Sequence, residues 1–128
     1  MLSDRPLYAV LPASDIDRAE AFYRDVLGLV PTGHEMGNLV YRLAGGTFQI
    51  YPTGNAGTAK NTTMGWSTDT FDEDVESLRA AGVVFEDYDL PEFKTVNGVA
   101  TFGNEKSAWF TDTEGNILCI SHTEGETS

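Results

Sequence analysis

Two histidines, His34 and His122, and one cysteine, Cys119, are the strongest metal-binding or nucleophilic side chains in this sequence. A catalytic divalent ion wants three or four imidazole, thiolate or carboxylate ligands converging on one point. His122 stands three positions from Cys119, and along a strand an odd separation sends two side chains to opposite faces. His34 stands beside Glu35 at a strand end, so both histidines read as surface residues, and neither a metal nor another cofactor is expected. Cys119 as a nucleophile would need a base on its own face. None is visible, and the thiol reads as a small hydrophobe. Tyr8 as a general acid lacks a perturbing neighbour. No catalytic residue is assigned. What remains is stacking and hydrogen-bonding chemistry, carried by Trp109, Tyr51 and Gln49.

The elements that position these residues follow from periodicity. Ser14-Asp15-Ile16-Asp17 has the form of a helix capping box, followed by apolar Ile16, Ala19, Tyr23, Val26 and Leu27. Thr70-Phe71-Asp72-Glu73 repeats the form, with Phe71, Val75, Leu78 and Ala81 behind it. Both predicted helices stop at a glycine, Gly28 and Gly82. Strand-like runs precede them, Leu7 to Leu11 and Met64 to Thr68. Three further strands follow the first helix: Val30 to Glu35, Leu39 to Leu43 and Thr47 to Tyr51, with Gly45-Gly46 as a hairpin turn. After the second come Val83 to Tyr88, a segment between Val99 and Thr111, and Ile117 to Ser121, with Asp112 to Asn116 as the last turn. The pattern is strand, helix, three strands, written twice. Module one covers about residues 5–54, a Gly/Thr/Asn-rich linker about 55–62, and module two about 63–123, all in one domain. The polar tail is expected to fray.

Alternation sorts the faces. Thr47, Gln49 and Tyr51 alternate with Phe48 and Ile50, so the polar set should face away from the helices. Ser107, Trp109 and Thr111 alternate with Ala108 and Phe110, and Cys119 and Ser121 with Leu118 and Ile120. Tyr8 and Val10 join the polar face, whereas parity sends Trp66 toward the helices. The expected lining is aromatic, hydroxyl and amide, without charge. The segment Asp89 to Asn104, with Pro91, Phe93, Lys94 and Gly98, reads as a lid over it. The acidic run Asp69, Asp72, Glu73, Asp74 and Glu76 reads as a solvated helix N-terminus.

Composition bounds the partners. In 128 residues, 41% are hydrophobic, with 8 basic against 20 acidic side chains and a net charge of −12. That balance argues against nucleic acid and anionic membranes, which select Lys/Arg patches, and tilts the field toward cationic compounds. A single cysteine excludes an internal disulfide. The N-terminal residues lack the basic and apolar blocks of a signal peptide, and no run approaches a membrane span, so a cytoplasmic location is expected.

The run Leu11-Pro12-Ala13-Ser14-Asp15 through Ala21-Phe22-Tyr23-Arg24-Asp25-Val26-Leu27-Gly28-Leu29 resembles the opening module of the vicinal oxygen chelate superfamily. That superfamily includes glyoxalase I, bleomycin-resistance proteins and extradiol dioxygenases. Trp109-Phe110-Thr111-Asp112-Thr113-Glu114-Gly115-Asn116 is similar to its aromatic strand and following turn. The resemblance implies an α+β fold of paired βαβββ modules, forming a curved mixed sheet around a pocket with the helices outside, and a homodimer. In metal-using members His, Glu or Gln side chains enter from the first and last strands of each module. The matching positions here are Tyr8, Gln49, Thr63 and Cys119. Tyr, Gln, Thr and Cys make a poor nest for a divalent ion.

The resemblance therefore implies a glyoxalase/bleomycin-resistance-like binding protein that sequesters an aromatic or cationic small molecule in a dimeric pocket. The implied lining is Tyr8, Val10, Gln49, Tyr51, Thr63, Ser107, Trp109, Cys119 and Ser121, with Phe93 and Lys94 on the lid. Two alternatives stay open. One is a superfamily lyase, isomerase or dioxygenase with an atypical metal set or metal-free acid–base chemistry; the other is an accessory dimer module without ligand.

Overall fold

Phe48 and Ile50 are almost fully buried, whereas their strand neighbours Thr47 and Gln49 are half-buried and Tyr51 is exposed. One strand thus packs one face and opens the other, and the same division recurs in both halves of the chain. The computed structural model describes residues 1–91 and 94–123. Their elements are a short 3-10 turn at Leu2–Asp4, then β1 (Tyr8–Ala13), α1 (Ile16–Asp25), β2 (Gly33–Glu35), β3 (Asn38–Leu43) and β4 (Gly46–Pro52). There follow β5 (Thr62–Ser67), α2 (Phe71–Ala80), β6 (Thr95–Val96), β7 (Val99–Phe102), β8 (Glu105–Thr111) and β9 (Ile117–Thr123).

Two units result. The first comprises Met1–Thr58 with Thr113–Asn116; the second comprises Ala59–Asp112 with Ile117–Ser128. Unit one holds a four-stranded sheet in the order β1-β4-β3-β2, and unit two a five-stranded sheet in the order β5-β9-β8-β7-β6. In each, the first strand lies parallel to the last and the other pairs are antiparallel. A parallel pair cannot be closed by a tight turn, and each helix lies in the long connection between the two strands. The α+β reading and its repeat are borne out.

In unit one, α1 lays Ala19 and Tyr23 on Leu11, Ala13, Leu39, Tyr41, Phe48 and Ile50, all buried. Tyr41 and Phe48 stack at 4.7 Å, and Tyr23 tilts against both at 5.8 and 5.9 Å. In unit two, Phe71 and Val75 of α2 are buried together with Ala108, Phe110, Leu118 and Ile120. Phe85 meets Phe110 edge-on at 5.7 Å. Burial of side chains of this size contributes roughly 2 kcal/mol each. Both helices end as the glycines require. Gly28 and Gly82 have φ of +72° and +103°, and Leu29 and Val83 donate back to Tyr23 and Leu78.

Three sequence expectations are corrected. The cap of α1 is Asp15, whose carboxylate accepts from the Arg18 amide at 3.1 Å; Ser14 is spent on Glu114 instead. Thr70 stands at the N-cap of α2 without capping it, because Asp74 engages its hydroxyl at 3.2 Å. The run 83–88 is not a strand. It touches β8 through the Glu86 amide and the Trp109 carbonyl at 2.8 Å, and the Tyr88 amide donates to the Thr95 hydroxyl rather than to a ladder partner. The strand it was expected to supply comes from the segment read as a lid. There β6 and β7 form a hairpin around Asn97-Gly98, with φ of +52° and +79°. Lys94 bridges to Asp89 beside that hairpin, and Phe93 lies outside the described residues.

Candidate functional site

The faces turned away from the core carry the chemistry. In unit two, Trp109 pairs with Cys119 and Ser107 with Ser121, and these four share the face opposite Ala108, Phe110, Leu118 and Ile120. The Trp109 indole is anchored within unit two. Its N–H donates to the Thr62 hydroxyl at 3.1 Å, and the Tyr88 ring stands edge-on to it at 5.8 Å and 87°. Such edge-to-face pairs add roughly 1 kcal/mol beyond the area they bury. Trp109 is half-buried, so the ring is fixed in place and still accessible.

Thr62 takes this place through an irregularity. The register shifts between Thr62 and Met64, which stand opposite Ile117 and Leu118 of β9. Thr63 is the extra residue. Counting along a regular strand puts Thr63 beside Trp109; the bulge puts Thr62 there, and the Thr63 hydroxyl donates to the Asn61 carbonyl at 3.4 Å. Burial pushes the Cys119 thiol above its usual range, and the thiol donates to the Ile120 carbonyl. A nucleophilic cysteine needs the reverse shift. Burial likewise raises the Tyr88 hydroxyl.

In unit one the open face is a set of cross-strand rows. Arg42, Thr47 and Tyr8 form one and Val40, Gln49 and Val10 the next, with Val40 itself buried, while Tyr51 pairs with Pro12. Tyr8 is 57% exposed and Val10 43%, so β1 offers both to solvent. The Asn38 amide donates to Gln49 Oε1 at 3.2 Å, which fixes the orientation of the Gln49 amide. Residue-type reasoning missed Asn38, Arg42, Thr62 and Tyr88. The alternation of Leu39 and Tyr41 with Val40 and Arg42 is a signal for the first two. Nothing local announces the bulge.

A cavity of about 320 Å³ lies elsewhere in unit two, between the start of α2 and the β7–β8 turn, with Asp72, Lys106 and His122 among its walls. Lys106 and His122 pair across β8 and β9, out of phase with Trp109 and Cys119. Lys106 is paired to Asp72 at 3.3 Å. His122 Nδ1 lies 2.8 Å from the Thr68 carbonyl, an acceptor, so its proton sits on that nitrogen.

The donor set does not fit a catalytic divalent ion. The positions that the superfamily resemblance implies as ligand-bearing hold Tyr8 and Gln49 in unit one and Thr62 or Thr63 and Cys119 in unit two, with no imidazole or carboxylate among them. Among the described residues no group of three or more His, Cys, Asp or Glu side chains could hold a metal. No helix among them is long and apolar enough to cross a membrane.

A family model described as Glyoxalase/Bleomycin resistance protein/Dioxygenase superfamily matches residues 5–120. No curated protein matches the chain in sequence. Among solved structures, a protein described as of the glyoxalase family from Bacillus anthracis is 15% identical, with a TM-score of 0.73 over 94% of this chain and 96% of its own. A glyoxalase/bleomycin resistance protein from Catenulispora acidiphila is 20% identical, with a TM-score of 0.67 over 92% and 97%. A lactoylglutathione lyase from Agrobacterium tumefaciens is 19% identical, with a TM-score of 0.69 over 93% of each chain. At these identities the likeness is one of fold.

Proposed function

Because the chain belongs to the glyoxalase/bleomycin resistance protein/dioxygenase superfamily, we propose that it is a metal-independent member that binds an aromatic small molecule on its open sheet faces. The observation that carries this reading is the Trp109 indole, anchored by Thr62 and Tyr88 and half-buried on the face away from the core. A fixed aromatic plate loses little freedom when a flat ring stacks on it. Ser107, Ser121 and Cys119 beside it supply hydroxyl and thiol groups for orientation. The raised thiol of Cys119 and the donor set described above favour binding over turnover. The proposed working form is a homodimer. Leu7, Tyr8 and Val10, 88%, 57% and 43% exposed, are apolar or aromatic surface around the edge strand β1 that a second copy would cover.

The test is titration with 4-nitrobenzamide in a Trp66→Phe background, leaving Trp109 as the emitting indole. Saturable quenching, with a shift of the indole N–H resonance, is the expected result. Quenching that only rises linearly would overturn the reading. Sedimentation velocity reports the dimer separately.

A further inference from the structure

We infer that Asn97 is a site of covalent modification by deamidation, and that Asp87 sets its rate by holding the Gly98 amide. Asn97-Gly98 is the only Asn-Gly pair in the sequence; the other asparagines precede Leu39, Ala56, Thr62, Glu105 and Ile117. A glycine carries no side chain to hinder its nitrogen as that nitrogen approaches the asparagine side chain. In the reaction the Gly98 N–H gives its proton to the medium and the nitrogen attacks Asn97 Cγ. The new N–Cγ bond closes a succinimide ring, and the side-chain amide takes a proton from water and leaves as ammonia. Water then opens the ring at either carbonyl, leaving aspartate or isoaspartate at position 97. Water is the only co-reactant, and nothing is oxidised or reduced.

The hairpin supplies both the hazard and its restraint, all within unit two. Asn97 is exposed at the tip, between the paired residues Val96 and Val99, so water reaches its side chain. Gly98 has to be glycine, because its φ is +79° and a Cβ there would lie 2.6 Å from the Phe85 Cβ. Its nitrogen is not free to attack. The N–H donates to Asp87 Oδ1 at 2.8 Å, and the Thr95 hydroxyl donates to the same oxygen at 2.8 Å. Deprotonating that amide would set a second negative charge against the carboxylate at hydrogen-bond distance. Arg79 grips the same peptide from its other end, donating to the Asn97 carbonyl. An isoaspartate would add a methylene to this turn and pull on Thr95, whose N–H donates to the Tyr88 carbonyl at 2.8 Å.

The experiment ages the full chain in mildly alkaline buffer, folded and in urea, and follows each asparagine peptide by mass spectrometry for exchange of ammonia for water. In urea Asn97 should convert ahead of every other asparagine. In the folded chain it should convert about tenfold more slowly than in urea, the weight of one hydrogen bond to a charged acceptor. Asp87→Ala should bring the folded rate toward the unfolded one, and Asp87→Asn, which keeps an oxygen acceptor without the charge, should fall between. Val96→Gly loosens the hairpin without touching Asp87, and hydrogen exchange at the Thr95 amide reports hairpin opening in every variant. Another asparagine converting first in urea would overturn the assignment of Asn97. A folded rate equal to the unfolded one, or no acceleration in Asp87→Ala, would overturn the restraint. Equal acceleration by Val96→Gly and Asp87→Ala would do the same, since hairpin opening alone would then set the rate.

Discussion

Glu114 and Arg18, 96 residues apart, meet through Arg18 Nε and Glu114 Oε2 at 2.8 Å within unit one. The Glu114 side chain is fully buried, while Arg18 is half exposed. The carboxylate also accepts from the Ser14 amide at 2.9 Å, the Asp15 amide at 3.0 Å and the Thr113 hydroxyl at 2.9 Å. Beside it the Asn116 amide donates to the Pro12 carbonyl at 3.0 Å. The turn Thr113–Asn116 is thereby tied to the junction of β1 and α1.

The tie should be acid-labile. Burial by itself would raise the Glu114 pKa. The hydrogen bonds from Arg18, the Asp15 amide and Thr113, with the charge of Arg18, outweigh it and hold the carboxyl at about 2, against an ordinary 4.5. A depressed folded-state pKa contributes stability above the unfolded value and loses it as pH falls toward the folded one. Urea midpoints should therefore drop between about pH 4.5 and 2. Glu114→Gln should lower stability by about 2 kcal/mol at pH 7 and flatten that part of the profile. A profile unchanged by the substitution would contradict this role.

Tyr41 gives a prediction of the opposite direction. Its hydroxyl is buried and has no hydrogen-bond partner among the described residues, and burial, with Glu20 adding to it, pushes its pKa up to about 12. An unsatisfied buried hydroxyl costs about 1–3 kcal/mol, while the ring keeps its stack on Phe48 without it. Tyr41→Phe should raise the stability by about 1 kcal/mol in thermal and urea unfolding. A clear loss instead would place a partner, such as a buried water, on that oxygen.

These residues show where sequence reasoning reaches. The helices, their glycine stops and the alternation of β4, β8 and β9 are local periodicities, and they were legible because each depends on neighbours three or four positions away at most. Glu114 reads as part of a turn, since nothing near it in sequence names Ser14 and Arg18 as partners. The cap of α1 is hidden for the same reason: Ser14 fits the local pattern, and a distant carboxylate claims it. Asn97-Gly98 is a strong hairpin signal. It competes with the run 83–88, whose Val83-Val84-Phe85 also reads as a strand. At the site, alternation gave the faces but not the register of β5, where one extra residue exchanges Thr63 for Thr62.

Gly98 should be the most sensitive turn residue of unit two. Its φ is +79°, and a Cβ there would lie 2.6 Å from the Phe85 Cβ. Its amide donates to Asp87 at 2.8 Å, and Thr95 and that amide hold the Asp87 carboxyl below its usual range. Arg79 donates to the adjacent Asn97 carbonyl. Gly98→Ala should cost roughly 3 kcal/mol. Gly37 has a similar φ of +85° with open space around it, so Gly37→Ala should cost about 1 kcal/mol. Equal urea midpoints for the two variants would show that backbone conformation alone matters and that the contact with Phe85 does not.

Cys119 tests whether the open face of unit two is suited to binding or to nucleophilic chemistry. Burial is the largest cause of its raised thiol pKa, ahead of the lowering by the Ala108 amide. Iodoacetamide should alkylate it more slowly than a free thiol at neutral pH. The same shift fixes a sign for stability. A group whose folded pKa is raised contributes stability that is present below its unfolded pKa and lost as pH climbs through the folded value. Stability should thus fall above about pH 8.5, and Cys119→Ala should shrink that fall. Alkylation as fast as a free thiol at pH 7, with a profile unmoved by Cys119→Ala, would mean that the face activates the sulfur and that turnover must be reconsidered.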